Sequence, residues 1–184
     1  ACSTFTVDVD YIIDKDAFGL IFGASDTQNF YMWQVNASTD TVKLRPHQWI
    51  KGNASLVDEI SLSNVYQTKQ DAIGKKSHMT VSVNNGEIKT YINDELVDTR
   101  QVAEFDFGGI GLRASSESFR VDNIVVKDES GNIIHKYDFD EGVRCDFNGG
   151  TITDGMLSVT TGPIYAKDSG LVEAAPMLRK EFSL

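Results

Sequence analysis

The chain has 184 residues and a formal net charge of −10, from 17 lysines and arginines against 27 aspartates and glutamates. This acidity argues against a nucleic-acid partner, whose phosphates require a basic surface, and it also disfavours an anionic membrane surface. No apolar run approaches the roughly 20 residues that cross a bilayer. The length predicts one domain, or one domain plus a fragment, with enough residues to bury a full core.

The chain begins with alternating apolar and polar residues, which is the period of a strand with one face in water. The apolar set consists of Phe5, Val7, Val9 and Tyr11. Two aromatic-rich runs follow at 18–24 and 30–36, separated by a polar, turn-rich break at 25–29. Such runs are typical of strands in a sandwich, and we expect Trp33 of the second run to lie in the core.

A less regular region comes next. A short strand is expected at 41–44, next to a loop, and a further strand at 56–62. That loop carries Arg45, Pro46, His47 and Trp49. Residues 66–76 are polar and unpatterned, which predicts the longest loop in the body of the domain.

Hairpin signals are sharpest in the middle of the chain. Residues 79–83 and 88–92 flank Asn85 and Gly86, a pair that supplies the positive φ angles of a tight turn. Further short strands are expected at 96–99, 109–113, 119–127, 133–139, 151–153 and 156–160. Roughly a dozen strands at this spacing, with no 3.6-residue apolar period, predict an all-β sandwich or barrel.

The end of the chain differs from the rest. Alternation is lost at 162–175, and residues 178–184 (LRKEFSL) resemble the first strand of a further domain. We therefore expect a sandwich over 1–161, followed over 162–184 by a linker and the start of a following domain.

Three segments carry a resemblance to a known superfamily. They are GLIFGASDTQNFYMWQV, VNNGEIKTYINDELVDT and GGIGLRASSESFRVDNIVVKD. Their order, the "Y-I-N-D-x-L-V" hairpin and the "G-x-I-G-x-R … D-N-I" ending resemble concanavalin A-like (laminin-G-like) jelly-roll domains. The resemblance implies a two-sheet antiparallel jelly-roll sandwich. In that family the first strand would precede Ala1, or be supplied by residues 137–142 and 156–159.

The tail APMLRKEFSL is similar to a junction in bacterial family 78 glycoside hydrolases, the α-L-rhamnosidases. In that family the catalytic acid and base lie in a separate helical barrel, so the resemblance implies a non-catalytic module. Its expected role is carbohydrate binding or scaffolding in a secreted, periplasmic or cell-surface enzyme. The expected partners are a plant or host polysaccharide or oligosaccharide and the neighbouring domains. A purely structural interdomain module and a jelly-roll glycosidase with carboxylates on its strands remain the alternatives.

Catalysis would need two carboxylates on one face. Glycosidases place such a pair about 5 Å apart or somewhat more, and residues i and i+2 of a strand share a face. The pairs with this spacing are Asp8/Asp10, Glu104/Asp106 and Asp138/Asp140. Jelly-roll glucanases carry a third acid on the same strand, which is missing after Asp106, and acids on the wet face of an acidic sandwich need no catalytic role.

Sugar binding would need an exposed aromatic ring beside planar polar groups. Trp49 stands beside Arg45 and His47, and Tyr66 opens the long loop and could border the same surface. These four residues form the expected carbohydrate site. The alternative is that Trp49 only packs against the rim of the sandwich.

A calcium site is the plausible metal site of a secreted sandwich, since calcium prefers oxygen ligands. Asp138, Asp140 and Glu141 cluster at a turn and are the candidate ligands. The competing interpretation is a hydrated acidic turn. Cys2 and Cys145 are far apart in sequence, and their spacing leaves both a disulfide and two free thiols open.

Overall fold

A computed structural model describes residues 3–140, 146–169 and 171. Within these residues fifteen strands form almost all of the regular structure, with single-turn 3-10 helices at Lys69–Asp71 and Lys167–Ser169. The strands are β1 Thr4–Lys15, β2 Ala17–Asp26, β3 Asn29–Asn36, β4 Lys43–Ile50, β5 Asn53–Leu56, β6 Ile60–Ser61, β7 Lys76–Asn84, β8 Glu87–Ile92, β9 Glu95–Gln101, β10 Gly109–Leu112, β11 Ser118–Asp128, β12 Ile133–Tyr137, β13 Thr151–Thr153, β14 Met156–Val159 and β15 Ile164–Tyr165.

The strands form two antiparallel sheets. In the first sheet the order is β13-β14-β11-β1-β7-β8-β9, with β12 also paired to β11. In the second sheet the order is β15-β10-β2-β3-β4-β5, with β6 also paired to β4. Consecutive strands β1 and β2 lie in different sheets, as in a jelly-roll sandwich, so the expected all-β fold class with two antiparallel sheets is confirmed.

Strand β1 lies near the centre of the first sheet, and its register shows why the alternation in the sequence was informative. Val7 pairs with Val81 on one side and with Val126 on the other. Alternate residues of β1 are buried, and the intervening residues face solvent. Because side chains of a strand point to opposite faces in turn, one face of β1 contributes a row of side chains to the core.

Aromatic side chains join the two sheets across the core. Phe18 of β2 stacks on Tyr11 of β1, with ring centroids 4.3 Å apart, and meets Phe119 of β11 edge-on at 5.2 Å. Trp33 of β3 is 1% exposed and donates a hydrogen bond from its indole nitrogen to Thr90 Oγ1 of β8 at 2.8 Å. The expected core position of Trp33 is confirmed.

The region after β3 differs from the expectation. Residues 45–49 lie in strand β4 and not in a loop, and residues 56–62 hold the end of β5 and the two-residue β6 instead of one strand. Proline lacks an amide hydrogen and is uncommon inside sheets. Pro46 nevertheless pairs with Trp33 of β3, and its carbonyl accepts a hydrogen bond from the Val57 amide at 3.0 Å. The long loop at 66–76 is confirmed, apart from its single 3-10 turn.

The end of the described chain continues the second sheet. Strand β15 pairs with β10, with Tyr165 opposite Gly111, so the sheet extends past residue 161 into the segment expected to be a linker. The expected strand at 178–184 lies outside the described residues. Among the residues described, no helix is long and apolar enough to cross a membrane.

Candidate functional site

Strand β4 carries three of the four expected sugar-binding residues on one face. Arg45, His47 and Trp49 alternate with core-facing residues, so all three side chains project from the outer face of the second sheet. All three are partly exposed. The structure therefore brings together the part of the expected site that is contiguous in sequence.

Tyr66 does not join this group, and its expected role on the binding surface is wrong. The residue is only 3% exposed and lies in the main core. Its hydroxyl donates to Ser77 Oγ at 2.7 Å and lies 2.9 Å from the Tyr11 hydroxyl. Burial raises the pKa of Tyr66. The residues around Tyr66 are polar, so the local sequence does not indicate that its ring is buried in the core of the sandwich.

The indole ring of Trp49 is held by three neighbours. Phe30 stacks on it at a centroid distance of 4.9 Å and an interplanar angle of 16°. The His47 ring lies 5.9 Å away, and the guanidinium carbon of Arg113 lies 5.1 Å from the indole centroid. These contacts fix the orientation of Trp49 while leaving it partly exposed. Because the ring is already held in one orientation, less side-chain entropy is lost when a ligand binds.

The polar groups beside Trp49 are also fixed. Arg45 donates from Nε to Glu59 Oε1 at 2.9 Å and from Nη1 to Gln34 Oε1 at 3.2 Å. His47 Nδ1 lies 2.9 Å from the Arg45 carbonyl oxygen, which assigns the proton to Nδ1 and leaves Nε2 as an acceptor. Burial, together with the positive charges of Arg45 and Arg113, lowers the pKa of His47, so the ring is neutral at neutral pH.

A pocket of about 280 Å³ opens where strands β2, β3 and β4 meet the segment 102–108. We call it the Trp49 pocket. Its aromatic lining is Phe30, Tyr31, Trp49 and Phe105, and its polar lining is Ser25, Asn29, Gln48 and Asp106. A mostly apolar depression with a few converging polar groups is the usual form of a small-molecule site.

Phe105 can form one wall of this pocket because Gly23 has no side chain. Gly23 has a φ of +59°, and an added Cβ would lie 2.5 Å from the Phe105 ring. The Phe105 ring in turn lies 4.7 Å from the Tyr31 ring at an angle of 45°. The segment 102–108 is therefore packed onto the end of the second sheet by this aromatic contact.

Tyr31, Phe105 and Asp106 were missed as site residues by sequence reasoning. Tyr31 and Phe30 are consecutive in a strand pattern, which predicts opposite faces for their side chains and does not show which one faces inward. Asp106 was considered as one of a carboxylate pair with Glu104, but neither residue lies in a strand. The available signal was an aromatic residue, Phe105, between the acids Glu104 and Asp106. Its contact with β3 depends on how the strands are arranged in space, which the sequence does not show.

Asp8 and Asp10, the clearest carboxylate pair on a strand, lie on the outer face of the first sheet, away from the Trp49 pocket. Both contact basic groups: His78 lies 2.7 Å from Asp10, Lys76 lies 2.9 Å from Asp10, and Lys127 lies 3.0 Å from Asp8. The expectation of a polar outer face is confirmed, and cross-strand ion pairs occupy it.

The expected calcium cluster is only partly described. Asp138 lies 3.2 Å from Lys136 Nζ, and Asp140 is exposed. Glu141, Cys2 and Cys145 lie outside the described residues. In the described part of the chain, no three histidine, cysteine, aspartate or glutamate residues are grouped to hold a metal ion. The calcium site stays a prediction.

Comparison with known proteins identifies the fold. No protein-family model matches the sequence, and no curated protein sequence matches it significantly. Among solved structures, the chain is similar to the carbohydrate-binding module CBM66 from Bacillus subtilis, with 24% identity and a TM-score of 0.54 over 67% of this chain and 74% of that one. It is also similar to CG-16, a homodimeric agglutinin from chicken liver, with 14% identity and a TM-score of 0.51 over 67% of this chain and 90% of that one. These similarities show a shared β-sandwich fold.

Proposed function

We propose that this domain is a non-catalytic carbohydrate-binding module. The observation that carries the proposal is the Trp49 pocket, in which aromatic rings, uncharged polar side chains and one carboxylate meet in one partly exposed depression. Sugars present apolar C–H faces that stack on aromatic rings and hydroxyls that pair with amide and carboxylate groups. The partly exposed rings of Tyr31 and Phe105 on the inner side and of Trp49 on the outer side supply stacking surfaces, while Asn29, Gln48 and Asp106 supply the hydrogen-bonding groups.

A catalytic role receives less support from the same pocket. Hydrolysis of a glycosidic bond requires two carboxyl groups on opposite sides of the bond. Asp106 is the one carboxylate among the described residues that line the pocket. The pocket is therefore suited to binding a saccharide and not to cleaving it.

The wider setting of the domain is part of the proposal. The printed names of the two similar structures, a carbohydrate-binding module and an agglutinin, agree with a saccharide ligand by analogy of fold. The tail motif supports a place in a larger secreted enzyme resembling the α-L-rhamnosidases, where the domain would bind substrate or support its neighbours. That enzyme context rests on the resemblance of residues 175–184.

Affinity electrophoresis tests the binding role. The purified chain would be run through gels containing rhamnogalacturonan, polygalacturonate, β-1,4-galactan, β-1,3-glucan or levan. We expect retardation in at least one gel, and we expect Trp49→Ala to abolish it because the outer stacking surface is removed. Ile133→Ala is the matched control, since Ile133 is 57% exposed and lies in the first sheet.

The outcomes separate the proposed function from its alternatives. Retardation that Trp49→Ala removes and Ile133→Ala preserves would support binding at the Trp49 pocket. Equal retardation of all three proteins would place the binding site elsewhere. No retardation in any gel would contradict the proposal and favour a purely structural module.

A further inference from the structure

A second depression adjoins the Trp49 pocket. It has a volume of about 350 Å³ and lies between strand β9 and strand β4. We call it the Arg100 cleft. It is lined by Tyr31, Trp33, Gln48, Val57, Arg100, Gln101, Val102 and Ala103. The segment 102–108 borders both depressions, with Val102 and Ala103 on one side and Phe105 and Asp106 on the other.

Tyr31 and Gln48 are common to both depressions and form the floor where they meet. The two residues are direct cross-strand partners of β3 and β4. Both side chains are half-buried. Within the described residues, neither the Tyr31 hydroxyl nor the Gln48 carboxamide makes a hydrogen bond to another protein group. A polar pair left available at such a junction is suited to a ligand that crosses it.

The charges along this groove are nearly balanced. Arg100 donates from Nε to Asp98 Oδ2 at 2.6 Å, and the two side chains are only 13% and 10% exposed. The remaining charged group that lines the groove is Asp106. With its arginine already paired and one free carboxylate, the groove disfavours a polyanion, as does the chain's net charge of −10.

On the basis of the proposed function, we infer that the ligand is a linear, neutral glycan that occupies both depressions at once. One sugar unit enters the Trp49 pocket at the ends of β3 and β4, where Phe105 and Tyr31 line its inner side. The chain then passes over Tyr31 and Gln48 so that a second unit enters the Arg100 cleft. The site therefore recognises at least two linked sugars, and a single sugar fills only half of it.

A substitution that fills the second depression tests this inference. Ala103 is exposed and lines only the Arg100 cleft, so Ala103→Trp blocks the cleft and leaves the Trp49 pocket intact. Thr39→Trp places the same side chain at an exposed turn between β3 and β4 and serves as the control. Both variants, the parent and Trp49→Ala would be run on the neutral galactan, β-glucan and levan gels and on polygalacturonate. Near-UV circular dichroism would verify that each variant is folded.

We expect a neutral gel to retard the parent and Thr39→Trp equally, and we expect Ala103→Trp and Trp49→Ala each to weaken the interaction at least about tenfold. In competition, the tetrasaccharide of the retarding polymer should act at a concentration at least about tenfold lower than its monosaccharide. Equal behaviour of Ala103→Trp and Thr39→Trp would overturn the inference, as would equal competition by monosaccharide and tetrasaccharide. Retardation by polygalacturonate alone would also overturn it.

These results separate the inference from the proposed function. If a gel retards the parent and Trp49→Ala removes that retardation, the carbohydrate-binding role stands even when Ala103→Trp has no effect. If no gel retards the parent, the carbohydrate-binding role and the extended site are both rejected.

Discussion

At the scale of single residues, the hydrogen bond between Trp33 and Thr90 shows how a polar contact is placed inside an apolar core. Thr90 is fully buried in the first sheet, and Trp33 lies opposite in the second sheet. The bond joins indole Nε1 to Thr90 Oγ1 at 2.8 Å. A buried indole nitrogen without an acceptor would retain the full cost of its desolvation.

We therefore expect Thr90→Val to lower the free energy of unfolding by about 1–3 kcal/mol, since valine keeps the shape of threonine and removes the acceptor. Urea denaturation followed by tryptophan fluorescence would measure the change. Thr90→Ser keeps the hydroxyl and is the control. If Thr90→Val were as stable as the parent, the hydrogen bond would contribute nothing net to stability.

The two tryptophans also mark how far single residues could be assigned from the sequence. The apolar run around Trp33 predicts a core position, and Trp33 is buried there. The closeness of Trp49, Arg45 and His47 in sequence predicts a common surface, and strand β4 brings them to one face. Tyr66 was misplaced because its partners Tyr11 and Ser77 come from two other strands, and nothing local to Tyr66 reveals them.

At the scale of the elements, strands β1, β7 and β11 are joined on their outer face by charged side chains. His78 of β7 lies between two carboxylates of β1: its Nδ1 is 2.7 Å from Asp10, and its Nε2 is 3.5 Å from Asp8. Its hydrogen bonds to Asp8 and Asp10 raise the pKa of His78 to about 9, although partial burial opposes the shift. Lys76 and Lys127 are the other cations that face these carboxylates.

This arrangement predicts a specific pH dependence. Stabilisation by protonated His78 is fully present below the ordinary histidine pKa, about 6.5, and is lost as the pH rises through about 9. Burial would raise the pKa values of Asp8 and Asp10, but their hydrogen bonds outweigh it and lower both. Their contribution is therefore present above about pH 4 and is lost as the pH falls further.

We expect the parent to lose about 1 kcal/mol of unfolding free energy between pH ~6 and pH ~9.5 through His78, a modest amount because the ring is part-exposed and the pair is screened. His78→Gln should remove that portion of the pH dependence. Chemical denaturation at both pH values would measure it, with His135→Gln as the control. Parallel pH profiles for the parent and His78→Gln would contradict the assignment.

The strands and turns that could be predicted are those that the residues next to them in sequence identify. The hairpin of β7 and β8 was marked by Asn85-Gly86, and the structure gives both residues positive φ angles of 47° and 86°. The segment 102–108 has no strand pattern, and it is held by contacts such as those of Phe105 with Tyr31 and Gly23 and of Phe107 with Phe5. Such a contact between distant parts of the chain leaves no periodic signal, so the Trp49 pocket could be only half anticipated.

At the scale of the whole molecule, the two sheets share one core, and in the part of the chain that the structure describes no other layer covers the inner face of either sheet. Phe18 is fully buried and contacts Tyr11 and Phe119 of the opposite sheet. Each sheet would therefore expose its inner face if the other unfolded, which couples their stabilities. We expect the sandwich to unfold in a single cooperative transition.

Phe18→Ala tests this coupling, because it removes a ring that contacts both sheets. The expected loss is about 3–5 kcal/mol of unfolding free energy, from the lost burial and the cavity that remains. Far-UV circular dichroism and tryptophan fluorescence should shift together to the same lower denaturant midpoint. Leu96→Ala removes an exposed side chain, and we expect it to change stability by less than about 0.5 kcal/mol. Two separate transitions in Phe18→Ala would show that each sheet has stability of its own. The aromatic contact would then join two independent layers, and the shared core would not be the source of the domain's cooperativity.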